Sequence, residues 1–257
     1  MSGPEQLAEV YRDLDAWQPA YLGSFLNWGY WRGIEPPYTA DDRVLASAQL
    51  YRLVAESVCL GAEDVTLEVG SGTGAGAYLL RAEYGVEELH GLDVVATQVE
   101  VATAAGSGVT FVQASADQMP YQDAMFDVVY SVEALQHFDN VPGFARQARR
   151  VSRPGARLGV ATFFPSPTAS IDELGEQLQS YRSGFDVVTT VDGLGQALEN
   201  AGFVDVTAVD IGEHVWRQLD GWIVDNGYRN HWGRSFLRAH ERGLIDYHLL
   251  TASVPSS

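Results

Sequence analysis

The sequence predicts an α/β fold: a Rossmann-like, seven-stranded, mostly parallel sheet with helices on both faces. Three observations support this class. Short apolar runs alternate with segments of helical periodicity along most of the chain. A glycine-rich turn, Gly70 to Gly76, follows the first of these runs and precedes a helical segment. The 257 residues are 46% hydrophobic, which is enough for the core of one large domain.

The strands and helices follow one another in a regular order. A first helix is predicted over Asp41–Val58, and Thr39 and Asp42 at its start have the spacing of a capping box. Apolar runs bounded by turn residues predict strands over Val65–Val69, Leu89–Val94, Val109–Val112, Phe126–Ser131, Arg157–Phe163, Phe203–Ile211 and Ile245–Val254. Between them, helices are predicted over Ala75–Tyr84, Thr97–Ala105, Gly143–Val151 and Asp192–Ala201.

Three stretches stand outside this alternation: residues 1–41, 165–190 and 213–243. We interpret the first as an N-terminal helical cap and the other two as inserted lid segments over a substrate. Ligands of such sheets bind at the carboxyl ends of the strands, where these segments are expected to lie. The whole chain, residues 1–257, is then a single domain.

Composition excludes several classes of function. The formal net charge is −18 and the chain has no Lys, so a nucleic-acid partner, a Walker-type phosphate lysine and Schiff-base catalysis are not expected. No run of ~18 apolar residues predicts a membrane span. The N-terminus lacks a secretory signal, which favours a cytoplasmic location. The single cysteine, Cys59, excludes a disulfide framework and is expected to be buried.

The glycine turn and a later aspartate predict a nucleoside site. Glycines at alternate positions differ from the Gly-x-Gly-x-x-Gly of dinucleotide enzymes, and the missing lysine also indicates a ligand without phosphate. Glycine lets a ligand approach the backbone with no Cβ in the way. Asp93 ends the second strand about 20 residues past the turn, where a carboxylate can accept hydrogen bonds from both ribose hydroxyls.

With these residues and the motifs around and after them, the sequence resembles the class I S-adenosylmethionine-dependent methyltransferases, in their small-molecule (ubiquinone-type and natural-product) branch. The motifs that carry the resemblance are Glu68–Gly74, Gly91–Asp93, Ser115–Tyr121, Phe126–Ser131, Arg149–Leu158 and the cap motif Asn27–Trp31. The resemblance implies S-adenosyl-L-methionine as the cofactor, bound by Glu68, Gly70, Ser71, Gly72, Gly74, Asp93, Val94, Ser115, Ala116, Asp117, Ser131 and Tyr30. Either Ser115 or Asp117 is expected to read adenine, and Glu68 to help position the ammonium tail of the cofactor.

The segment after the fourth strand is expected to lie beside the methyl donor. Glu133 and His137 are four residues apart and share a face if this segment is a helical turn. A histidine held by a carboxylate is a suitable general base, so His137 and Glu133 are the candidate catalytic residues. The alternative is a structural histidine that caps the turn. Spacing of the six histidines predicts no metal site.

Aromatic side chains in the cap segments indicate a hydrophobic acceptor, with Tyr21, Trp28, Trp31, Phe163 and His214 as candidate substrate-binding residues. The expected activity is methyl transfer to an oxygen or carbon nucleophile of a hydrophobic small molecule, in bacterial secondary metabolism. The alternatives are a nitrogen acceptor, a rearrangement or cyclisation without methyl transfer, and, less in keeping with the glycine spacing, a nicotinamide-dependent dehydrogenase. A homodimer or higher homo-oligomer is a further expectation.

Overall fold

The computed structural model describes residues 25–256, and a seven-stranded sheet forms their centre. Its strands are β1 (Thr66–Val69), β2 (Leu89–Asp93), β3 (Val109–Gln113), β4 (Phe126–Val132), β5 (Ser152–Pro165), β6 (Val204–Asp210) and β7 (Ile245–Ser253). The strand order is β3-β2-β1-β4-β5-β7-β6. Strands β1 to β5 pair in parallel, whereas β7 is antiparallel to both β5 and β6. The predicted mostly parallel sheet is therefore confirmed.

The helices are α1 (Ala40–Ser57), α2 (Ala75–Tyr84), α3 (Ala96–Ala105), α4 (Val141–Val151), α5 (Ile171–Gln177), α6 (Gln179–Ser183), α7 (Val191–Ala201), α8 (Trp216–Asp225) and α9 (Arg234–Glu241). Two short 3₁₀ turns, Leu135–His137 and Gly212–His214, follow β4 and β6. The capping box at Thr39 and Asp42 is present. Among residues 25–256, no helix combines the length and apolar character that a membrane span requires.

The sheet is covered on both faces because its central strands are apolar on both sides. In β4, Val128 and Tyr130 belong to one buried cluster, and Val129 between them belongs to another. The first cluster contains side chains of α1, α2, α8 and α9, and the second contains side chains of α4 and α7. Successive strand residues point to opposite faces, so each face of the sheet buries its own set of helices.

The inserted segments contain four helices. Helices α5 and α6 lie within residues 165–190, and α8 and α9 lie within residues 213–243. Strand β5 begins at Ser152, earlier than predicted, because Ser152 pairs with Phe126 across a register shift. The expectation of a buried cysteine is wrong: Cys59 is exposed, in the turn that follows the end of α1, with a φ of 49°.

Candidate active site

A cavity of about 200 Å³ lies at the carboxyl ends of the parallel strands. Its walls are the glycine turn after β1, the ends of β2 and β3, and the segment that follows β4. Strand order reverses between β1 and β4, which are neighbours in the sheet. Ligands of open α/β sheets bind at such a reversal, because the connections diverge there and leave a crevice.

The glycine turn forms the floor of this cavity. Gly70 and Gly72 line it with φ values of 80° and 51°, a backbone region that favours glycine. A Cβ on Gly70 would lie 2.1 Å from the Cβ of Ala134, so the turn and the segment after β4 are in close contact. Gly74 has a φ of 79° and caps α2, and its Cβ would meet the ring of Phe111 at 2.7 Å. Packing against α3 and β3, rather than contact with the cavity, therefore explains a glycine at Gly74.

Asp93 lies at the end of β2 with both carboxylate oxygens engaged. Oδ2 accepts the backbone N–H of Gly72 at 2.8 Å, and Oδ1 accepts that of Val95 at 2.8 Å. Burial raises the pKa of this carboxyl, which the backbone hydrogen bonds partly oppose. Asp93 and Val94 both line the cavity. A carboxylate oxygen can accept more than one hydrogen bond, so Asp93 can also receive hydroxyl donors from a ligand.

The loop after β3 brings the two candidate adenine readers together. The Ser115 hydroxyl donates to Asp117 Oδ1 at 2.5 Å, and the Asn140 amide donates to Asp117 Oδ2 at 2.9 Å. The hydrogen bond from Ser115 lowers the pKa of Asp117. Ser115, Ala116 and Asp117 all line the cavity. The pair acts as one polar unit, and the choice between Ser115 and Asp117 stays a prediction.

Glu68 and Ser131 are buried near the cavity but are not among the described residues that line it. The Tyr130 hydroxyl donates to Glu68 Oε2 at 3.1 Å. Burial is the largest cause that raises the pKa of Glu68, to about 8, against hydrogen bonds from Tyr130 and Tyr51. Tyr51 does line the cavity. Glu68 thus connects β1, β4 and α1 below the turn, and its predicted contact with the cofactor stays a prediction.

His137 ends the 3₁₀ turn after β4, and its carboxylate partner is Asp186. His137 Nδ1 lies 3.1 Å from Asp186 Oδ1 and 3.1 Å from the carbonyl oxygen of Phe185. The Asp186 residue is only 4% exposed and belongs to the loop after α6. The sequence-based pairing of His137 with Glu133 is therefore corrected, because the segment forms one 3₁₀ turn and a distant loop supplies the carboxylate. Sequence spacing carried no signal for Asp186.

Glu133 instead ties the cap motif to the sheet. Its Oε1 accepts the backbone N–H of Trp28 at 2.5 Å and the hydroxyl of Tyr247 at 2.8 Å. The residue is buried, and burial raises its pKa to about 8. Its φ of 46° turns the chain sharply at the end of β4. Glu133 and His137 both line the cavity, which confirms only their shared location and not a direct pairing.

A second, smaller cavity of about 50 Å³ adjoins the first. Leu26, Glu133 and His137 line both cavities. Most of the other residues described around the second cavity are aromatic, namely Trp28, Phe163, Phe185, Trp232 and Phe236. Its polar residues are Gln136, Ser180 and Asp186. Two of the predicted substrate residues, Trp28 and Phe163, are thus brought together, alongside Trp232 and Phe236, which were not among the predicted substrate residues.

Three other residues that were predicted to bind a ligand do not line either cavity. Trp31 is 1% exposed, donates from its indole to the Trp28 carbonyl at 3.0 Å, and packs in the core. The rings of Tyr30 and His214 contact each other at 5.4 Å between centroids. These positions do not support direct ligand contact by Trp31, Tyr30 or His214 in this conformation. Tyr21 lies outside the described residues.

The first cavity fits S-adenosylmethionine. Two buried polar atoms at its wall, Ser71 Oγ and Gln98 Oε1, have no hydrogen-bond partner among the described residues, as expected where a polar ligand binds. Besides Glu133, its described lining carries the carboxyl groups of Asp93, Asp117 and Asp139 and no Arg or Lys. Such a lining suits a ligand with a positive sulfonium and ammonium and no phosphate. Within residues 25–256, no cluster of His, Cys, Asp and Glu has a geometry that could hold a metal ion.

Comparison with known proteins connects this site to a family. Residues 67–160 match the family described as "Methyltransferase domain". The chain is 31% identical over 201 residues to 27-O-demethylrifamycin SV methyltransferase from Amycolatopsis mediterranei, a match that covers 75% of this chain and 71% of that protein.

Two solved structures share the whole fold. Geranyl diphosphate C-methyltransferase from Streptomyces coelicolor A3(2), in complex with Mg²⁺, geranyl diphosphate and S-adenosyl-L-homocysteine, has a TM-score of 0.80 at 12% identity and covers 98% of each chain. The [4+2]-cyclase SpnF has a TM-score of 0.76 at 20% identity and covers 99% of this chain and 97% of its own. At these identities the two similarities concern the fold alone.

Proposed function

Since this chain belongs to the class I S-adenosylmethionine-dependent methyltransferases that act on small molecules, we propose that it methylates an oxygen or carbon nucleophile of a hydrophobic molecule in bacterial secondary metabolism. The observation that carries the proposal is the His137–Asp186 pair. His137 lines both cavities, which supports a role as the proton acceptor between a donor site and an acceptor site.

The residues of the first cavity would hold the cofactor. Asp93 would accept the ribose hydroxyls, Ser115 or Asp117 would bind the adenine amino group, and the turn at Gly70 and Gly72 would let the ligand lie against the backbone. The bound cofactor supplies an electrophilic methyl group on a positively charged sulfur. The protein then has to align the nucleophile with that group and remove one proton.

His137 is oriented for proton removal. Contact of Nδ1 with the Asp186 carboxylate favours the tautomer that carries its proton on Nδ1, which makes Nε2 the acceptor of the ring. A nucleophile that gives its proton to Nε2 has to replace the long contact that the Gln136 amide makes there. The Gln136 amide lies 3.3 Å from His137 Nε2, and Gln136 is itself held by the Thr162 hydroxyl at 2.6 Å. The arrangement resembles other carboxylate–histidine bases, in which the carboxylate fixes the ring and stabilises the imidazolium.

The aromatic second cavity supports a hydrophobic acceptor. Trp28, Phe163 and Phe236 are each at most 4% exposed, and they present ring faces and edges rather than charges to this space. Apolar walls with a few polar groups are typical of small-molecule sites. The relative from Amycolatopsis mediterranei, named for a rifamycin substrate, supports an oxygen acceptor and a role in secondary metabolism.

The test uses the full chain with S-adenosylmethionine carrying a ¹³C-labelled methyl group. A panel of hydrophobic phenols, alcohols, β-dicarbonyl compounds and amines is incubated with it, and the chemical shift of the labelled carbon identifies O-, C- or N-methyl products. We expect labelled O-methyl or C-methyl products, and His137→Ala should lower turnover ~100-fold or more with cofactor affinity unchanged. His90→Gln, a change at a histidine on β2 that contacts Glu88 at 3.3 Å, serves as the control.

Two results would contradict the proposal: label found only on nitrogen, or full turnover of His137→Ala.

The shared fold of the [4+2]-cyclase SpnF is the observation that favours a second candidate, a cyclisation without methyl transfer. That candidate predicts consumption of a polyene substrate with no loss of label from the cofactor. Mass spectrometry of the same reactions distinguishes the two, because cyclisation leaves the substrate mass unchanged.

A further inference from the structure

The carboxyl group of Glu133 stands at the junction of the two cavities with one oxygen unused. Its Oε1 already accepts two hydrogen bonds, from the Trp28 N–H and the Tyr247 hydroxyl. Its Oε2 makes no hydrogen bond with any described residue, yet it is not sealed in the core. A buried polar group needs a partner, so Oε2 is available to a molecule that occupies the junction.

The surroundings of Glu133 favour its protonated form. The groups that face it are Arg43 on α1, Tyr51 on α1, Tyr247 on β7, His137 on the 3₁₀ turn and Asp186 in the loop after α6. Burial is the dominant cause of the raised pKa of about 8, and it outweighs the hydrogen bonds and the attraction of Arg43. With Oε1 accepting two hydrogen bonds, the proton resides on Oε2, which becomes a donor near neutral pH.

The second cavity offers no compensation to a buried anion. Its described lining contains neither Arg nor Lys, and its one basic group, His137, is already matched to Asp186. A carboxylate or phosphate placed there would lose its hydration without gaining a cationic partner, which is strongly unfavourable. The acceptor that fits is therefore uncharged where it lies between the aromatic walls.

We infer that Glu133 binds the acceptor itself, donating from Oε2 to a carbonyl or ether oxygen next to the nucleophile that faces His137. The acceptor class is an uncharged molecule with an oxygen that accepts a hydrogen bond within one or two atoms of the methylated position, such as an α-hydroxy ketone or an ortho-oxygenated ring. The inference rests on the proposed function for the role of His137. A carbonyl at that place would also acidify an adjacent C–H, so the inference applies to oxygen and carbon nucleophiles alike.

Binding of three matched probes tests this inference without any methyl transfer. Isothermal titration of the full chain, saturated with S-adenosylhomocysteine, measures 2-hydroxyacetophenone, 2-phenylethanol and phenylglyoxylate. These share a phenyl ring and size; the second lacks the accepting oxygen, and the third is an anion. At pH 7 we expect 2-hydroxyacetophenone to bind about 10-fold more tightly than 2-phenylethanol and at least about 100-fold more tightly than phenylglyoxylate.

The pH dependence and one variant identify Glu133 as the donor. Raising the pH to 9.5 should weaken binding of 2-hydroxyacetophenone about 10-fold or more, because an ionised carboxylate cannot donate. Glu133→Gln keeps an oxygen for Trp28 and Tyr247 and donates from its amide at every pH, so its affinity should not change between pH 7 and 9.5. The control is Glu88→Gln. Glu88 is exposed and directly precedes β2, at the end of the sheet opposite the cavities, so this variant should behave as the unaltered protein. Retained binding of S-adenosylhomocysteine shows that each variant is folded.

Several outcomes overturn the inference: equal affinity for phenylglyoxylate, equal affinity for 2-phenylethanol, pH-independent binding by the unaltered protein, or no binding of any probe. If Glu133→Gln does not fold, the three probes and the pH dependence of the unaltered protein still decide. Because no methyl group is transferred, selective binding can be established even if the labelled-methyl assay fails. Conversely, an acceptor methylated without a neighbouring oxygen overturns this inference and leaves the proposed function standing.

Discussion

Replacing Asp93 by Ala tests the cofactor site most directly. The substitution removes the acceptor for the Gly72 N–H and the Val95 N–H, each now 2.8 Å from a carboxylate oxygen. It also removes the acceptor proposed for the ribose hydroxyls. A lost hydrogen bond to a charged group costs about 1.5–3 kcal/mol, and water entering the space left behind recovers part of this. We therefore expect binding of the cofactor to weaken by ~1–3 kcal/mol, a rise in Kd of roughly 5- to 150-fold.

Isothermal titration with S-adenosylhomocysteine measures this change, and thermal unfolding measures the accompanying loss of stability. The matched control is Asp64→Ala. Asp64 also accepts a backbone N–H, that of Gly61 at 2.7 Å, and pairs with Arg157, but it precedes β1 at the opposite end of the sheet. Asp64→Ala should lower stability and leave the Kd of the cofactor unchanged. An unchanged Kd in Asp93→Ala, with Asp64→Ala behaving alike, would refute the ribose role of Asp93.

Three further predictions follow from the same site. Gly70→Ala should weaken cofactor binding at least ~30-fold and lower stability by roughly 1–3 kcal/mol. The new Cβ would lie 2.1 Å from the Cβ of Ala134, on a backbone whose φ of 80° favours glycine. Isothermal titration measures the affinity, and thermal unfolding measures the stability. Glu68 keeps its proton to about pH 8 in the folded state, whereas in the unfolded chain it loses the proton at a pH of ~4.5. The free energy of unfolding should therefore fall by on the order of 5 kcal/mol as the pH rises from ~4.5 to about 8. Urea unfolding of the ligand-free protein measures this fall, which should be smaller in Glu68→Gln. Asp186→Asn should lower kcat ~10- to 100-fold, with the KM of the cofactor unchanged, because His137 loses the carboxylate that orients its ring and stabilises the imidazolium; steady-state rates in the labelled-methyl assay measure both.

Each of these predictions has its own control and contrary result. Gly33 has a φ of 79° with open space around the Cβ position, so Gly33→Ala measures backbone strain without the clash. If the two alanine variants bind the cofactor alike, contact with Ala134 is not what requires Gly70. A pH dependence of stability that is the same in Glu68→Gln would show that other groups cause it. An unchanged kcat in Asp186→Asn would show that Asp186 does not support proton removal by His137, and a raised KM for the cofactor would show that the substitution acts through the cofactor site.

Patterns of neighbouring residues predicted the strands, helices and turns that depend on residues close together in the chain. Apolar runs between turn residues located all seven strands, with the start of β5 as the largest error, and the helix Ala75–Tyr84 was placed correctly at both ends. Glycine at Gly70 and an aspartate at Asp93 predicted the cavity, since the spacing between a strand end and its following turn is set within one βα unit. Helices α5 and α6 were missed, because their five to seven residues are too few to show a periodicity.

The sequence by itself determined the α/β class, the family, the cofactor and the strand ends at which it binds, because each depends on residues close together in the chain. Only the tertiary structure decided the partners at the reacting centre. Asp186 reaches His137 from a loop after α6, and Glu133 meets Trp28 from the cap and Tyr247 from β7. These contacts join segments far apart in sequence, and they form only when those segments pack together at the carboxyl ends of the strands. Burial at that junction is also what holds a proton on Glu133, and no pattern along the chain reports burial from distant elements.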